Sequence, residues 1–413
     1  MNTASSTRKS VYNILLRMNK GAYSPIVLDG ELKSLNCDSR DKAFITALFY
    51  GVIERQLTLD YIIDKFTRDK PPEQEARVLL RMALYQIMFM DSVPDSAAVN
   101  ESVELSPKRA KGYVNAVLRN FLRYGKDLIN VELQENLSLK YSCPEWLIEK
   151  WQREYGDEDA LKILQTSLLK PPTFFRDCAN ENAPDRQPPT FFRDCANEND
   201  RQSQFLRQDL SSQLACEVLA PQPGETILDL CAAPGGKSFT IAQLMKNTGR
   251  IISCDINRKK LKLVETGAKK LGLSIIETRV NDAKTFDPDL LSPSNSKKAD
   301  RVLCDVPCSG LGVIRRKPEI KYKPASDFDG LPAIQLQILQ NGANYVRESG
   351  ILFYSTCTLS RAENDEVVDK FVAENNNFEL VNKKTIIPSE DGGDGFFMAM
   401  MKHKKHNGGA AND

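Results

Sequence analysis

Apolar residues recur at helical spacing through the first third of the chain, and strand-like runs alternate with helical ones in the second half. Val11, Leu15 and Met18 fall on one helical face, as do Ala43, Ala47, Tyr50 and Ile53. Residues 78–90, VLLRMALYQIMFM, are apolar nearly all round, the pattern of a central buried helix. Pro71-Pro72 and Pro94 punctuate these helices, so residues 5–130 read as all-helical. Residues 132–165 continue as an amphipathic run carrying Trp146 and Trp151. From residue 226 the pattern changes. Strands are expected at 226–231, 250–256, 274–280, 300–305, 350–356 and 396–402, and helices near 236–246, 258–271, 331–347 and 363–375. Such alternation predicts a doubly wound, mostly parallel sheet with ligands at the strand carboxyl ends.

Between the two halves the chain repeats itself. PPTFFRDCANEN occupies 171–182 and, letter for letter, 188–199. Solenoid repeats are longer, diverged and more numerous. The pair therefore reads as a recent duplication or a fault of sequence assembly, with no functional role for Cys178 or Cys195. A helix is expected at 208–214 (QDLSSQL). The resulting division is a helical domain at 1–130, a helical linker with an internally duplicated segment at 131–204, a second domain at 205–403, and a disordered tail at 404–413.

Composition narrows the chemistry. A length of 413 residues predicts two to three domains. Lysine and arginine total 56 against 55 acids, so any nucleic acid must be gripped by local patches. Ten scattered cysteines without a CxxC pair, no secretory segment and no long apolar run point to a reduced, cytoplasmic setting without a membrane partner. The only histidines are His403 and His406, which excludes histidine catalysis or zinc ligation in the core; no metal is expected. The helical domain shows no catalytic constellation and reads as a binding or docking domain. Within it, residues 106–126 carry Lys108, Arg109, Lys111, Arg119, Arg123 and Lys126 and no acid, with Tyr113 and Tyr124 among them. A solvated helix face is the ordinary reading of such a segment, and a phosphate-contacting face the alternative.

The candidate chemistry lies at the predicted strand ends. In ILDLCAAPGGKS (227–238) a strand runs into a turn closed by Pro234, Gly235 and Gly236, and a helix opens at about Lys237. That arrangement brings backbone and a helix N-terminus close to a ligand, although the string is not GxGxxG. Asp255 closes the second strand, about 20 residues past the glycine turn, where an acid suits a pair of ribose hydroxyls; a helix N-cap is the alternative. Asp282 follows the third strand, where a carboxylate could accept from an adenine amino group. In LCDVPCSGLGVIRRKPEIKY (303–322), Asp305 and Cys308 share a turn shaped by Pro307, Gly310 and Gly312. Arg315, Arg316, Lys317, Lys321 and Lys323 follow as a grip for phosphates. The fifth strand ends in YSTCTL and brings Cys357 to the same crevice. Cys231, Cys254 and Cys304 read as small buried hydrophobes. With no histidine at hand, a catalytic thiolate must be favoured by nearby cations and helix N-termini, and Arg315 and Arg316 are candidates by proximity in sequence.

Two resemblances build on these residues. RMALYQIMFM, DSAAVNESVELS and YVNAVLRNFL resemble the NusB family of small helical RNA-binding proteins over about residues 7–128. LDLCAAPGGK, DVPCSG, RRKPEIKY and YSTCTL with ENDEVV behind it resemble the Sun-type (RsmB) branch of the RNA cytosine-5 methyltransferases, and that likeness covers 7–165 and 205–403. The resemblance implies an all-α NusB-like domain followed by an α/β, Rossmann-like class I methyltransferase domain. It implies that S-adenosylmethionine and the base are held by Cys231, Ala232, Ala233, Pro234, Gly235, Gly236 and Lys237 with Asp255, Asp282 and Asp305. It also implies that Cys357 is the nucleophile and that Cys308 helps release product; the residues alone do not say which cysteine attacks. The implied substrate is one cytosine of small-subunit (16S) rRNA, methylated at C5 by a monomer. Two other readings stay open: the same chemistry on tRNA, and, because of the shortened middle, a catalytically impaired RNA-binding factor of ribosome assembly. Amino-group methylation would want a DPPY-like turn without cysteine.

Overall fold

The computed structural model describes residues 3–18, 24–35, 37–67, 70–177, 192–193, 205–292 and 298–405. The chain divides into two units. One runs to Arg153 and takes in Ile314–Lys323; the other comprises Glu154–Val313 and the chain from Pro324 onward.

The first unit is helical: α1 (Thr3–Met18), α2 (Ser24–Ser34), α3 (Ser39–Glu54), α4 (Gln56–Phe66), α5 (Gln74–Phe89), α6 (Asp95–Leu105), α7 (Lys111–Tyr124), α8 (Lys126–Glu135) and α9 (Leu137–Tyr141). It ends within α10 (Glu145–Thr166), which Gly156 breaks with φ 81° and ψ 167°. The apolar run seen in the sequence is α5, whose Val78, Leu79, Leu80, Met82, Ala83 and Leu84 are all buried. All of these but Leu79 pack in one core with Val11, Phe49, Ile62 and Leu118. A buried glutamine within this core is satisfied: Arg8 Nε donates to Gln86 Oε1 at 2.8 Å, and Gln86 Nε2 donates to Met82 O at 2.8 Å.

Residues 314–323, distant in sequence, are built into this helical unit. Tyr322 in the short 3₁₀ turn Pro318–Tyr322 donates to Glu54 O at 2.8 Å. Its hydroxyl also lies 3.0 Å from Ser142 Oγ. Lys321 Nζ donates to Tyr141 O at 3.4 Å.

The second unit opens with a small antiparallel sheet of order β2-β1-β3, built from β1 (Phe174–Asp177), β2 (Phe192–Arg193) and β3 (Phe205–Arg207). The two copies of the repeat pair with each other here, Phe175 of the first opposite Phe192 of the second. Cys178 and Cys195 lie outside the described residues. After α11 (Leu210–Leu219) come β4 (Thr226–Asp229), α12 (Gly236–Leu244), β5 (Arg250–Asp255), α13 (Arg258–Lys270), β6 (Ile276–Val280) and β7 (Ala299–Asp305). The chain continues through α14 (Leu331–Ala343), β8 (Val346–Thr356), α15 (Asp365–Glu374), β9 (Phe378–Ile386) and β10 (Phe396–His403). The strands form one sheet of order β6-β5-β4-β7-β8-β10-β9. From β6 to β8 all pairings are parallel, and β10 runs antiparallel to both its neighbours.

The sheet is thus mostly parallel and doubly wound, with the order reversing between β4 and β7. Its two faces carry separate cores, one around Leu228, Ile252, Val302 and Leu352, the other around Ile227, Ile251, Leu303 and Phe353. The alternation Ile227/Leu228 shows the period of two that sends successive side chains to opposite faces. The six predicted strands are present, and β9 is an additional one. Its sequence, FELVNKKTI, pairs only with β10 and keeps polar residues on an exposed edge, so it lacks the apolar run of a central strand. Order reaches Lys404, whose N–H donates to Asn377 O at 2.8 Å. The remainder of the predicted tail, 406–413, lies outside the described residues.

Candidate active site

The glycine turn leaves β4 at the point where the sheet reverses direction, the place where open α/β sheets form a crevice at their carboxyl ends. Ala232 N–H donates to Cys254 O at 2.7 Å and Gly235 N–H to Ala232 O at 2.7 Å. Gly235 then caps α12 at φ 113°, and a Cβ there would fall 2.4 Å from the Phe239 ring, so the position requires glycine on two counts. Ser238 Oγ donates to Asp229 Oδ2 at 2.7 Å and lies 2.8 Å from Ser253 Oγ, pinning the start of α12 to β4 and β5. Burial raises the Asp229 carboxyl to about 7; the Ser238 hydrogen bond offsets part of this and the charge of Asp305 adds to it. Sequence reasoning misses Asp229, whose one signal is an acid inside an otherwise apolar strand.

Asp255 and Asp282 stand at the ends of the next two strands, on the same edge as the glycine turn. Asp255 Oδ1 accepts from Asn257 N at 2.8 Å, and Asn257, not Asp255, caps α13. Asp282 Oδ1 accepts from Lys284 N at 3.1 Å. Beside it the buried Asn281 Oδ1 has no hydrogen-bond partner. A narrow glycine turn with carboxylate and amide acceptors along one sheet edge suits the hydroxyl and amino hydrogens of a nucleoside.

Across the reversal point, Lys237 Nζ lies 2.7 Å from Asp305 Oδ2, while Ser355 Oγ donates to Asp305 Oδ1 at 2.7 Å. Burial alone would lower the Lys237 ammonium. The charge and hydrogen bond of Asp305 outweigh it and bring the group up to about 12, with further support from Cys357. Lys237, twelve-per-cent exposed, is thus a cation that interacts with Cys357 by charge, in addition to the Arg315 and Arg316 that proximity in sequence suggests. The lysine follows the glycine turn, and its reach across to β7 is not readable from spacing.

The parallel register of β7 and β8 sets Asp305 opposite Ser355, and the two chains then turn together. Cys308 Sγ and Cys357 Sγ end 3.4 Å apart. Gly312 N–H donates to Cys357 O at 3.1 Å, and a Cβ on Gly312 would fall 2.1 Å from Gly395 O. The Cys308 loop is also anchored from behind. Glu363, buried at 2% exposure, accepts from Ser309 N at 2.8 Å, Ser309 Oγ at 2.5 Å and Gln335 Nε2 at 2.9 Å. The hydrogen bond to Cys357, then burial, then the charges of Cys357 and Glu363 raise the Cys308 thiol well above the ordinary range. Cys254 and Cys304 are fully buried among apolar side chains, as expected, whereas Cys231 is half-buried.

Comparison with known proteins follows the same division. The pattern of the family described as 16S rRNA methyltransferase RsmB/F matches residues 216–402, and that of the NusB family matches residues 5–123. A probable ribosomal RNA small subunit methyltransferase B of Bacillus subtilis is 35% identical, over 97% of this chain and 99% of its own length. The chain belongs to the RsmB/F family. A second such relative, from Synechocystis, is 32% identical over 96% of this chain and 99% of its own. In fold, the RsmB/F chain is similar to the crystal structure of PH0851, with a TM-score of 0.75 at 23% identity over 97% of this chain and 98% of that one. It is also similar to NSun6 from Pyrococcus horikoshii with SFG, with a TM-score of 0.53 at 20% identity over 63% and 98%.

The basic residues of this RsmB/F chain separate into two groups. Lys108, Arg109, Lys111, Arg119 and Arg123 are all exposed. Lys111, Asn115, Arg119 and Arg123 follow one another at intervals of four on α7 and form a single stripe. Arg109 is paired with Glu73 at 2.7 Å, and the Arg123 guanidinium lies 5.6 Å from the exposed Tyr124 ring. The second group corrects the sequence reading. Lys321 is 1% exposed and Arg315 is 8% exposed, so neither presents a solvated charge to a phosphate; Arg316 is half-buried and Lys317 exposed. Burial lowers the Lys321 ammonium to about 8, partly offset by Cys143 and Glu54. Burial likewise raises Glu54 to about 7, with Lys321 and Arg55 pulling the other way. A basic run reads alike in sequence whether it is solvated or packed.

Proposed function

We propose that this methyltransferase methylates C5 of one cytosine in 16S rRNA through a covalent adduct between Cys357 and C6 of the base. The observation that carries this reading is the pair of thiols, 3.4 Å apart, beside the Lys237–Asp305 ion pair at the reversal point of the sheet. Carbon 5 of cytosine is a weak nucleophile. Addition of a thiolate to C6 converts the ring to an enamine whose C5 is reactive, splitting one difficult step into two easier ones. Lys237 favours the thiolate form of Cys357 by its charge. Asp305, held by Lys237 and Ser355, is oriented to accept from the exocyclic amino group of the ring and so to hold the base as the adduct forms. S-adenosylmethionine supplies the electrophilic methyl group. The glycine turn, Lys237, Asp255 and Asp282 hold and orient it. A base, whether cysteine, carboxylate or water, then takes the C5 proton, the C5–C6 double bond re-forms, and Cys357 leaves with the electron pair of the broken S–C6 bond.

The target cytosine must be unpaired or flipped to meet the thiolate. The exposed stripe on α7 supplies phosphate contacts, and the NusB-like unit favours rRNA as substrate over tRNA. In this reading the enzyme acts as a cytoplasmic monomer. The test is transfer from labelled S-adenosylmethionine to unmodified 16S rRNA, with bisulfite mapping. One protected cytosine, lost in Cys357→Ala while cofactor affinity stays within a few-fold, is the expected result. Activity near wild type in Cys357→Ala overturns the nucleophile. Cofactor binding without any transfer by the unaltered chain favours an RNA-binding assembly factor instead.

A further inference from the structure

Two thiols 3.4 Å apart cannot play the same part. If both ionised, like charges would face each other at contact distance; if both stayed neutral, neither would attack. Something in the surroundings must tell them apart, and the two cysteines have opposite neighbours. Cys357 faces the Lys237 ammonium. Cys308 faces Cys357, the Glu363 carboxylate and, from β8, the Tyr354 hydroxyl.

Glu363 is placed to act on Cys308, whose neighbour Ser309 it grips and whose thiol its charge raises. Both of its oxygens are used by the residue next to Cys308: Oε2 accepts from Ser309 N at 2.8 Å and Oε1 from Ser309 Oγ at 2.5 Å. Gln335 Nε2, which also donates to Pro307 O at 3.0 Å, donates to Oε2 at 2.9 Å. Ser309 Oγ lies 2.6 Å from Thr358 Oγ1, next to Cys357, so one network spans both loops. The backbone of Glu363 is fixed too, since Tyr354 OH donates to its carbonyl at 2.5 Å. Every partner of the carboxylate is a donor, the set an ionised carboxylate takes. At 2% exposure its charge is little screened by solvent.

We propose that Glu363 is a positioning residue that decides which thiol keeps its proton, holding Cys308 as the neutral hydrogen-bond donor and leaving Cys357 to become the thiolate. This deepens the covalent mechanism above and rests on it. A neutral Cys308 donates to the Cys357 sulfur before attack. It donates again when the S–C6 bond breaks and that sulfur departs with the electron pair. Retaining its proton, Cys308 is not the base that removes the C5 proton; water or a carboxylate is.

The test needs neither RNA nor methyl transfer, so it stands apart from the success of the covalent mechanism. The full chain is pulsed with iodoacetamide across a pH series, and alkylation of each cysteine is read by mass spectrometry. In the unaltered protein Cys357 should react at lower pH than Cys308. Glu363→Gln should speed alkylation of Cys308 at about pH 8 by at least about fivefold, because a lower thiol pKa yields more thiolate. Glu363→Asp, which keeps the charge, should leave that rate near its original value. Three results overturn the proposal: an unchanged Cys308 profile in Glu363→Gln, an equal rise in the Gln and Asp variants, which would signify packing alone, or Cys308 titrating before Cys357 in the unaltered chain. The last result would overturn the proposal even if Glu363→Gln does not fold.

Discussion

Lys237 and Asp305 join the end of the glycine turn to the end of β7 by a 2.7 Å ion pair, and the same ammonium faces Cys357. One side chain thus connects the glycine turn to the proposed nucleophile. With Lys237 raised to about 12 its ammonium stays charged throughout the neutral range. Lys237→Met should therefore lower kcat/KM for methyl transfer by about a hundredfold, the scale of losing a group that sets a catalytic protonation state. It should also move the pH profile of Cys357 alkylation upward. A variant within a few-fold of wild type, with an unmoved profile, would return Lys237 to a purely structural role.

Removing Cys308 tests the release step separately from attack. In Cys308→Ala the departing Cys357 sulfur has lost its 3.4 Å neighbour, so the protein–RNA adduct should persist. The expected sign is a slow band on a denaturing gel, formed with unmodified rRNA and absent in the double variant Cys308→Ala/Cys357→Ala. A Cys308→Ala protein that turns over freely without accumulating the band counts against Cys308 in release.

Asp229 links stability to pH. Its folded carboxyl is raised to about 7 from the ordinary value of 3.8, because burial disfavours the charge. Between those two values the folded chain binds more protons than the unfolded one, so this residue's contribution to stability falls as pH rises through the window. Glu54, also raised to about 7, moves in the same direction. The difference between wild type and Asp229→Asn isolates Asp229: thermal melting in the absence of cofactor should show a smaller loss of Tm from pH 5 to pH 8 in the variant. Parallel curves would refute the linkage.

The α7 stripe makes a prediction about salt. Reversing Lys111, Arg119 and Arg123 to glutamate should weaken rRNA binding and reduce the slope of log K against log salt by about one for each phosphate that the protein no longer neutralises. Because these side chains are exposed, the melting temperature should hardly change. An unchanged slope would make the stripe an ordinary solvated face.

The sequence alone determined the order of elements and most of the residues of the candidate site. Helical spacing around Val11 and Leu15, the strand–glycine–helix string ending at Lys237, and acids or cysteines after successive strands are local patterns, written in neighbouring residues. Strand β9 escaped because an edge strand buries one residue where a central one buries several. What tertiary structure decided was which distant residues meet. The β7–β8 register brings Cys308 to Cys357, the reversal of the sheet brings Lys237 to Asp305, and Glu363 reaches back to Ser309. Burial, too, is a property of the packed chain: Lys108 and Lys321 look equally basic in the sequence, yet one is exposed and the other is enclosed beside Glu54. Charge can be read from a letter, but its solvation depends on what the fold places around it.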